Sequence, residues 1–395
     1  MIFALQGLLL LTEALLTIIV GYLLFLTVLA CFAPRRTAAR GQPPTHRFAI
    51  LIPAHNEERL LPSLLSNLQQ LDYPRSLYAV HVVADNCSDR TAELTRQHGA
   101  IAHERFDTVN IGKGYALEWL LGRIWASGET YHALLIVDAD SILSPNFLVV
   151  MDARLARGEQ AIQAYYAVRD ADTSWSASLR AVALAALHYL RPLARSVVDG
   201  SAGLKGNGMV FAADIIRKHR WPASLTEDIE YHMNLILDGK RVAFAPDAIV
   251  WAEMPNTLGA SQTQNVRWER GRQEMVRNYV PRLLRQALAR RSFLLLDAAI
   301  EQLIPPLSIV AALTLCCLIV AGILQNTVGI VISLSLLAIQ GIYIISSLVL
   351  AQAPGRVYLS LLYSPVFILW KIALYIRVLL GLDRNGWTRT ARNDT

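Results

Sequence analysis

The stretch His132-Ala-Leu-Leu-Ile-Val-Asp-Ala-Asp-Ser141 sets an apolar run, Ala133 to Val137, directly before two carboxylates, Asp138 and Asp140. The run reads as a buried strand. A carboxylate at the end of a core strand stays wet, pairs with a cation or holds a metal, because burying it unpaired is costly. Side chains alternate along an extended backbone, so these two reach a common ligand only if the chain turns at the strand end. A solvated pair at the start of a loop is the plainer alternative.

Similar apolar runs lie upstream. Phe48-Ala-Ile-Leu-Ile52 reads as a first strand, followed by a helix opening at Asn56-Glu57-Glu58 with an N-cap residue and acids in its first turn. Val80 to Ala84 reads as a second, ending at Asp85, with Ser88 or Asp89 capping a helix that runs to His98. Strands alternating with helices from Arg47 to about Trp251 predict an α/β domain with a largely parallel sheet. In such sheets ligands bind beyond the carboxyl ends of the strands, so these polar strand ends converge on one crevice. A dinucleotide fold would place Gly-x-Gly-x-x-Gly after the first strand, where Pro53-Ala-His-Asn-Glu-Glu58 stands instead. Asn110-Ile-Gly-Lys-Gly114 lacks the first glycine and the hydroxyl of a P-loop.

With 395 residues, 54% hydrophobic content and a mean hydropathy of +0.35, the chain is too apolar for a purely soluble protein. Residues 1–34 contain no Lys or Arg and one acid, Glu13, which predicts a membrane helix rather than a signal peptide, whose start would be basic and whose apolar core shorter. Two further spans are predicted near Pro305 to Leu324 and Thr327 to Leu350. The run Val357 to Leu382, interrupted by Lys371 and Arg377, is a third span or an interfacial segment. Arg35, Arg36 and Arg40 place the middle segment in the cytoplasm by the positive-inside rule; Arg384, Arg389 and Arg392 in the tail favour a cytoplasmic C-terminus with two later spans, the alternative being three spans and an outside tail. The net charge of +6 suits a membrane surface or a phosphate-bearing ligand. Four cysteines without ligand spacing read as free thiols.

Further polar clusters punctuate the middle. Gly206-Asn207-Gly208 is a place of close backbone approach to a ligand, or a plain turn. Thr226-Glu227-Asp228 opens an amphipathic helix to Leu237. Gln264, Arg267 and Trp268, at i, i+3 and i+4, share a helix face, and Arg270, Arg272, Arg277, Arg282 and Arg285 continue it as a basic interfacial helix. Trp175 to Val198 is apolar with interspersed arginines, a helix lying on the bilayer to guide an acceptor, or a core helix.

Taken in order, Pro53-Ala-His-Asn-Glu57, Asp85-Asn-Cys-Ser-Asp89, Asp138-Ala-Asp140, Gly206-Asn-Gly208, Thr226-Glu-Asp228 and Gln264-Asn-Val-Arg-Trp268 strongly resemble the membrane-bound family 2 glycosyltransferases, over about Arg47 to Arg272 plus the flanking spans. The resemblance implies a GT-A type, Rossmann-like α/β domain over residues 45–272, an interfacial basic helix over 273–300, a membrane region with two or three spans over 301–382 and a basic tail over 383–395. It implies an inverting hexosyl- or N-acetylhexosaminyltransferase of the bacterial inner membrane, using a UDP-sugar and Mg²⁺ or Mn²⁺. Ala54, Asn56, Glu57, Asp85, Lys113 and Arg267 would hold the nucleotide sugar, and Asp138 and Asp140 the metal and diphosphate. Asp228, beside Glu227, would be the general base. Gly206, Asn207, Gly208, Gln264 and Trp268 would face a carbohydrate or lipid-linked acceptor. Membrane lipid and export proteins are implied partners, and nucleic acid is not. The growing chain is a polysaccharide in the first reading; in the second, one sugar goes to a lipid or lipid-linked acceptor.

Overall fold

The computed structural model describes residues 2–33, 43–222, 224, 226–254, 259 and 262–380, the side chains of Thr263 and Leu379 excepted. The arginine clusters behind the orientation, and the tail, lie outside the described residues. After the apolar helix α1 (Ile2–Phe32), the first half of the domain runs β1 (Phe48–Ala54), α2 (Leu61–Leu68), β2 (Tyr78–Asp85), α3 (Thr91–Gln97), β3 (Ile101–Arg105), α4 (Lys113–Ala126) and β4 (Ala133–Ile136). The second half runs β5 (Ser141–Leu143), α5 (Phe147–Leu155), β6 (Ala161–Val168), α6 (Trp175–Leu184), a π-helical turn at Ala185–Leu190, α7 (Arg191–Val197), β7 (Met209–Ala212), α8 (Ala213–Lys218), α9 (Glu227–Leu237) and β8 (Ala243–Ala252). There follow α10 (Gln262–Arg290), α11 (Phe293–Leu303), α12 (Leu307–Ile323), α13 (Thr327–Leu350), α14 (Gly355–Leu359) and α15 (Ser364–Leu379).

The strands form one eight-stranded sheet in the order β3-β2-β1-β4-β7-β6-β8-β5. Alternate residues serve opposite faces, as the period of a strand requires. Ala49, Leu51, Leu134, Ile136 and Phe211 pack toward α4, α9 and α1. Phe48, Ile50, Ile52, Leu135 and Val210 pack toward α2 and α5. Burying both faces accounts for the unbroken apolar runs, each large side chain contributing about 1.5–3 kcal/mol.

The sheet is largely parallel, as expected, with β6 and β8 also pairing in parallel and only β7 and β5 reversed. β1, β2, β3 and β4 are parallel, whereas β7 runs antiparallel to β4 and to β6, and β5 antiparallel to β8. The reversal has a consequence for the site. Met209 pairs with Ile136, so the segment entering β7 lies at the same sheet edge as the chain leaving β4. The carboxyl end of β6, and α6 after it, reach that edge too.

Two local expectations change, and a third is decided between its alternatives. The helix after β1 starts at Leu61, not at Asn56. Asn56 is left-handed at φ 54°, its Oδ1 accepts from the Ser88 N–H at 2.8 Å, and the Glu57 N–H donates to Thr91 Oγ1 at 2.9 Å. The neighbouring loop thus satisfies backbone groups that a helix start would leave bare. The basic helix begins at Gln262, continues without a break to Arg290, and ends where Arg291 turns left-handed at φ 49°. The stretch from Trp175 is a core element: Leu184, Ala185, Ala186, Tyr189 and Leu190 are buried between the sheet and α1 and α13.

Helices α1, α13 and the stretch Gly355–Val378 are long and apolar enough to cross a membrane, and α11 with α12 form a pair bent by 63° that together pass the same test. The break near Gln325 falls as predicted, with Asn326 Oδ1 accepting from the Gly329 N–H at 3.0 Å to cap α13. Glu13 of α1 is buried and accepts from Ser333 Oγ of α13 at 2.9 Å. Lys371 of α15 donates to Asn265 Oδ1 at 2.6 Å and lies 3.7 Å from Glu269, which also accepts from Tyr375 Oη at 2.6 Å. The charge that interrupts the last apolar run is therefore spent on tying α15 to α10.

Candidate active site

The acidic strand end turns. The Ser141 N–H donates to the Asp138 carbonyl at 3.2 Å, closing a tight loop between β4 and β5. Both carboxylates act on the phenol of Tyr166, whose pKa stands well above its ordinary value, first because it is buried and then because of Asp138 and Asp140.

Asn207 braces the turn. It is fully buried, its Oδ1 accepts from the Asp138 N–H at 3.1 Å and its Nδ2 donates to Ser141 Oγ at 2.9 Å. Gln163 Nε2 donates in turn to the Asn207 carbonyl at 2.8 Å. The residue expected at an acceptor is spent instead on holding the acidic turn. Its flanking glycines are both left-handed, at φ 79° for Gly206 and 65° for Gly208. A Cβ on Gly208 would lie 2.5 Å from Val250 Cγ1, so only glycine lets β7 enter the sheet there.

Lys113, the first residue of α4, donates to Asp138 Oδ1 at 2.5 Å and to the Gly206 carbonyl at 2.6 Å. Burial works to lower its pKa, but Asp138, Glu227 and Asp228 around it outweigh that and hold it above the ordinary lysine value. Across the glycine turn stand Glu227 and Asp228, at the start of α9. A Cβ on Gly206 would lie 3.3 Å from Asp228 Oδ2, so the missing side chain keeps this carboxylate facing the turn. Burial raises both acids, Glu227 to about 7, against the pull of Lys113. Gly271 of α10 allows a similar approach, since a Cβ there would fall 2.1 Å from Thr226 Cγ2. The long basic helix therefore rests directly on the Thr226-Glu227-Asp228 turn.

The residues expected on the nucleotide side form a separate, well-satisfied group at the ends of β1 and β2. Asp85 is buried and receives Arg105 Nη1 at 2.6 Å; burial raises its pKa and Arg105 opposes the rise. Arg105 also donates to Asp107 Oδ2 and to the Asn110 carbonyl, each at 2.8 Å, fixing the loop that leads to Lys113. His55 Nδ1 lies 2.7 Å from the Asp85 carbonyl, tying Ala54 and Asn56 to β2. On α10, Gln264 and Arg267 are half-buried and Trp268 is 38% exposed. Arg180 Nη1 donates to Gln264 Oε1 at 3.4 Å.

Four participants were not read from the sequence: Arg105, Gln163, Arg180 and Lys205. Lys205 directly precedes the glycine turn, which was its only signal. Its ammonium has no hydrogen-bond partner among the described residues, and burial lowers its pKa to about 8. Below it, Arg195 makes a buried two-pronged pair with Asp297, and Arg191 reaches Glu301 at 3.3 Å, joining α7 to α11.

A divalent cation fits the acidic turn in a limited way. Among the described residues no group of three or more His, Cys, Asp or Glu side chains could hold a metal. Mg²⁺ and Mn²⁺ keep waters and substrate phosphates in their shells, so two carboxylates are a sufficient protein share.

The family profile described as "Glycosyltransferase like family 2" matches residues 43–271. Among curated proteins, the chain is 25% identical over 246 residues to the probable glycosyltransferase YdaM of Bacillus subtilis, covering 59% of this chain and 57% of that one. It is 22% identical to the poly-beta-1,6-N-acetyl-D-glucosamine synthase of Staphylococcus epidermidis, covering 61% and 58%. It is 25% identical to the beta-monoglucosyldiacylglycerol synthase of Trichormus variabilis, covering 65% and 56%. The chain spans a little over half the length of these relatives. The mannosyltransferase PcManGT of Pyrobaculum calidifontis, solved with GDP-Man and Mn²⁺, shares the fold with a TM-score of 0.56 at 18% identity, covering 87% of this chain and 98% of that one. With more than half of its length matched by the profile and its sheet built on the GT-A plan, the chain belongs to the family 2 glycosyltransferases.

Proposed function

We propose that the protein is an inverting, metal-dependent glycosyltransferase that moves a sugar from a nucleotide-diphosphate donor, a UDP-sugar, to a growing polysaccharide at the cytoplasmic face of a membrane. The observation that carries the reading is the opposition of two acidic pairs across one glycine turn, with Lys113 between them. Asp228 takes the proton of the acceptor hydroxyl as that oxygen bonds to the anomeric carbon. The bond from that carbon to the diphosphate oxygen breaks on the opposite face, and the nucleoside diphosphate leaves with its electron pair. A divalent cation held by Asp138 and Asp140 would neutralise charge on the leaving diphosphate. Lys113 and Arg267 supply further cations for it. Asn56, Glu57 and Asp85 line the nucleotide side, where the pairing of Asp85 with Arg105 fixes one carboxylate oxygen and orients the other. Trp268 offers an exposed ring for an acceptor sugar to stack on.

The second reading is one transfer to a lipid or lipid-linked acceptor. It is favoured by the contact of the site with membrane-type helices through α10 and α15, and by a glycolipid synthase among relatives of similar identity. The test is purified protein in detergent with a panel of UDP- and GDP-sugars and Mg²⁺ or Mn²⁺, reading nucleotide release and product length. Long products support the first reading and single additions the second. Asp228→Asn should lower turnover about 10²–10⁴-fold with donor affinity kept, whereas Asp140→Asn should weaken metal-dependent donor binding. Equal donor-binding losses in both variants would sink the division of roles.

A further inference from the structure

Arg180 is only 6% exposed, yet its Nε and Nη2 have no hydrogen-bond partner among the described residues. Its polar contact among the described residues is the 3.4 Å bond from Nη1 to Gln264 Oε1. Among the described residues no carboxylate pairs with it, the Tyr166 phenol is the group that favours its charge, and burial depresses its pKa to about 10. On α10, Glu269 is engaged by Tyr375, Arg272 and Lys371. A guanidinium taken out of water without a counter-anion is costly, and removing the charge altogether usually stabilises such a site. Its retention calls for an anion that arrives from outside.

The location narrows the anion. Arg180 lies on α6, which follows β6 at the sheet edge where the acidic turn sits. Asp138, Asp140 and Arg180 all act electrostatically on the buried Tyr166 phenol at the end of β6. Gln264 fixes one edge of the fork, leaving Nε and Nη2, which point in nearly parallel directions and match two oxygens of one phosphoryl group. We propose that Arg180 binds a phosphoryl group of the donor diphosphate through Nε and Nη2, a cationic contact opposite the acidic turn. This rests on the donor reading above. The pairing takes place as the diphosphate enters, so the uncompensated charge of the empty protein becomes affinity for the leaving group.

The test uses the full chain in detergent with Mn²⁺, reading the melting temperature and the binding of nucleoside diphosphate, nucleoside monophosphate and nucleoside. Arg180→Met, which fills the same space without charge, should weaken nucleoside diphosphate binding about ten- to a hundredfold while leaving the nucleoside unchanged. The ligand-free variant should melt no lower than the parent. Arg180→Lys, keeping the charge but not the fork, should fall between the two and guard against misfolding. Unchanged diphosphate affinity in Arg180→Met overturns the proposal, as does an equal loss for the nucleoside or a lowered melting temperature without ligand. Failure of the parent itself to bind any nucleoside diphosphate would overturn the donor reading first. Vesicles of anionic lipid are the control for the other phosphate source: rescue of the parent's stability by them, and not by nucleoside diphosphate, would reassign the arginine to a lipid headgroup and overturn it.

Discussion

On one side of the Asp138–Ser141 turn, Asp85 is buried against Arg105 at 2.6 Å, and Arg105 Nη2 donates to Asp107 and to the Asn110 carbonyl. On the other side, Arg180, Lys205 and the Glu227–Asp228 pair make no ion pair among the described residues, although all are buried or half-buried. The first group is complete before any ligand arrives, which suits a pocket that holds a nucleotide in one orientation. The second is incomplete, and a donor diphosphate and an acceptor hydroxyl are the partners that would complete it. Binding energy is then released at the reacting groups rather than at the base.

The largest effect should come from breaking the complete side. Arg105→Met leaves the Asp85 carboxylate buried and unpaired, and should cost about 3–5 kcal/mol of stability, read by unfolding in detergent. Its sign is opposite to that expected for Arg180→Met, which removes a charge that has no partner to lose. If both variants moved stability in the same direction, the contrast between the two sides would fail. The turn between them should give an intermediate effect: Asn207→Ala strips the Asp138 N–H and Ser141 Oγ of their partner, for about 1–3 kcal/mol. Because the turn also aims the two carboxylates, Mn²⁺ affinity should drop with it, while nucleoside binding, proposed for the Asp85 side, should stay within about twofold.

The complete side was also the more legible one. β1, β2 and β4 announced themselves because both faces of each are buried, which leaves an apolar run, broken only by His81 in β2, before a polar strand end. β3 escaped notice because Ile101-Ala-His-Glu-Arg105 is an edge strand, mostly exposed or half-exposed, with no apolar run to show. The pairing of Arg105 with Asp85 spans twenty residues and depends on β2 and β3 being neighbours, which no local pattern encodes. On the other side, parallel and antiparallel strands look alike in sequence. The reversal that brings Asn207 beside Asp138 was therefore invisible, and the asparagine was assigned to the acceptor. Arg180 hid for a different reason: in an apolar helix with neighbouring arginines, a side chain reads as one reaching for the membrane surface. Only its burial, and the lack of any counter-charge, set it apart.

The smallest effect tests the incomplete side by proton rather than by ligand. The Glu227 pKa rises from 4.5 to about 7, mainly through burial and partly through Asp228. A carboxyl raised on folding favours the folded state most while it is protonated, below about pH 4.5, and that contribution is lost as the pH climbs through 7. Glu227→Gln keeps the neutral form at every pH. The variant should match the parent near pH 4.5 and become the more stable of the two by pH 8, by about 1 kcal/mol once water screening is allowed for. Unfolding curves of both proteins at a series of pH values decide it. A constant difference across the range would mean that Glu227 is already satisfied in the empty protein, and the incomplete side would reduce to Arg180 and Lys205.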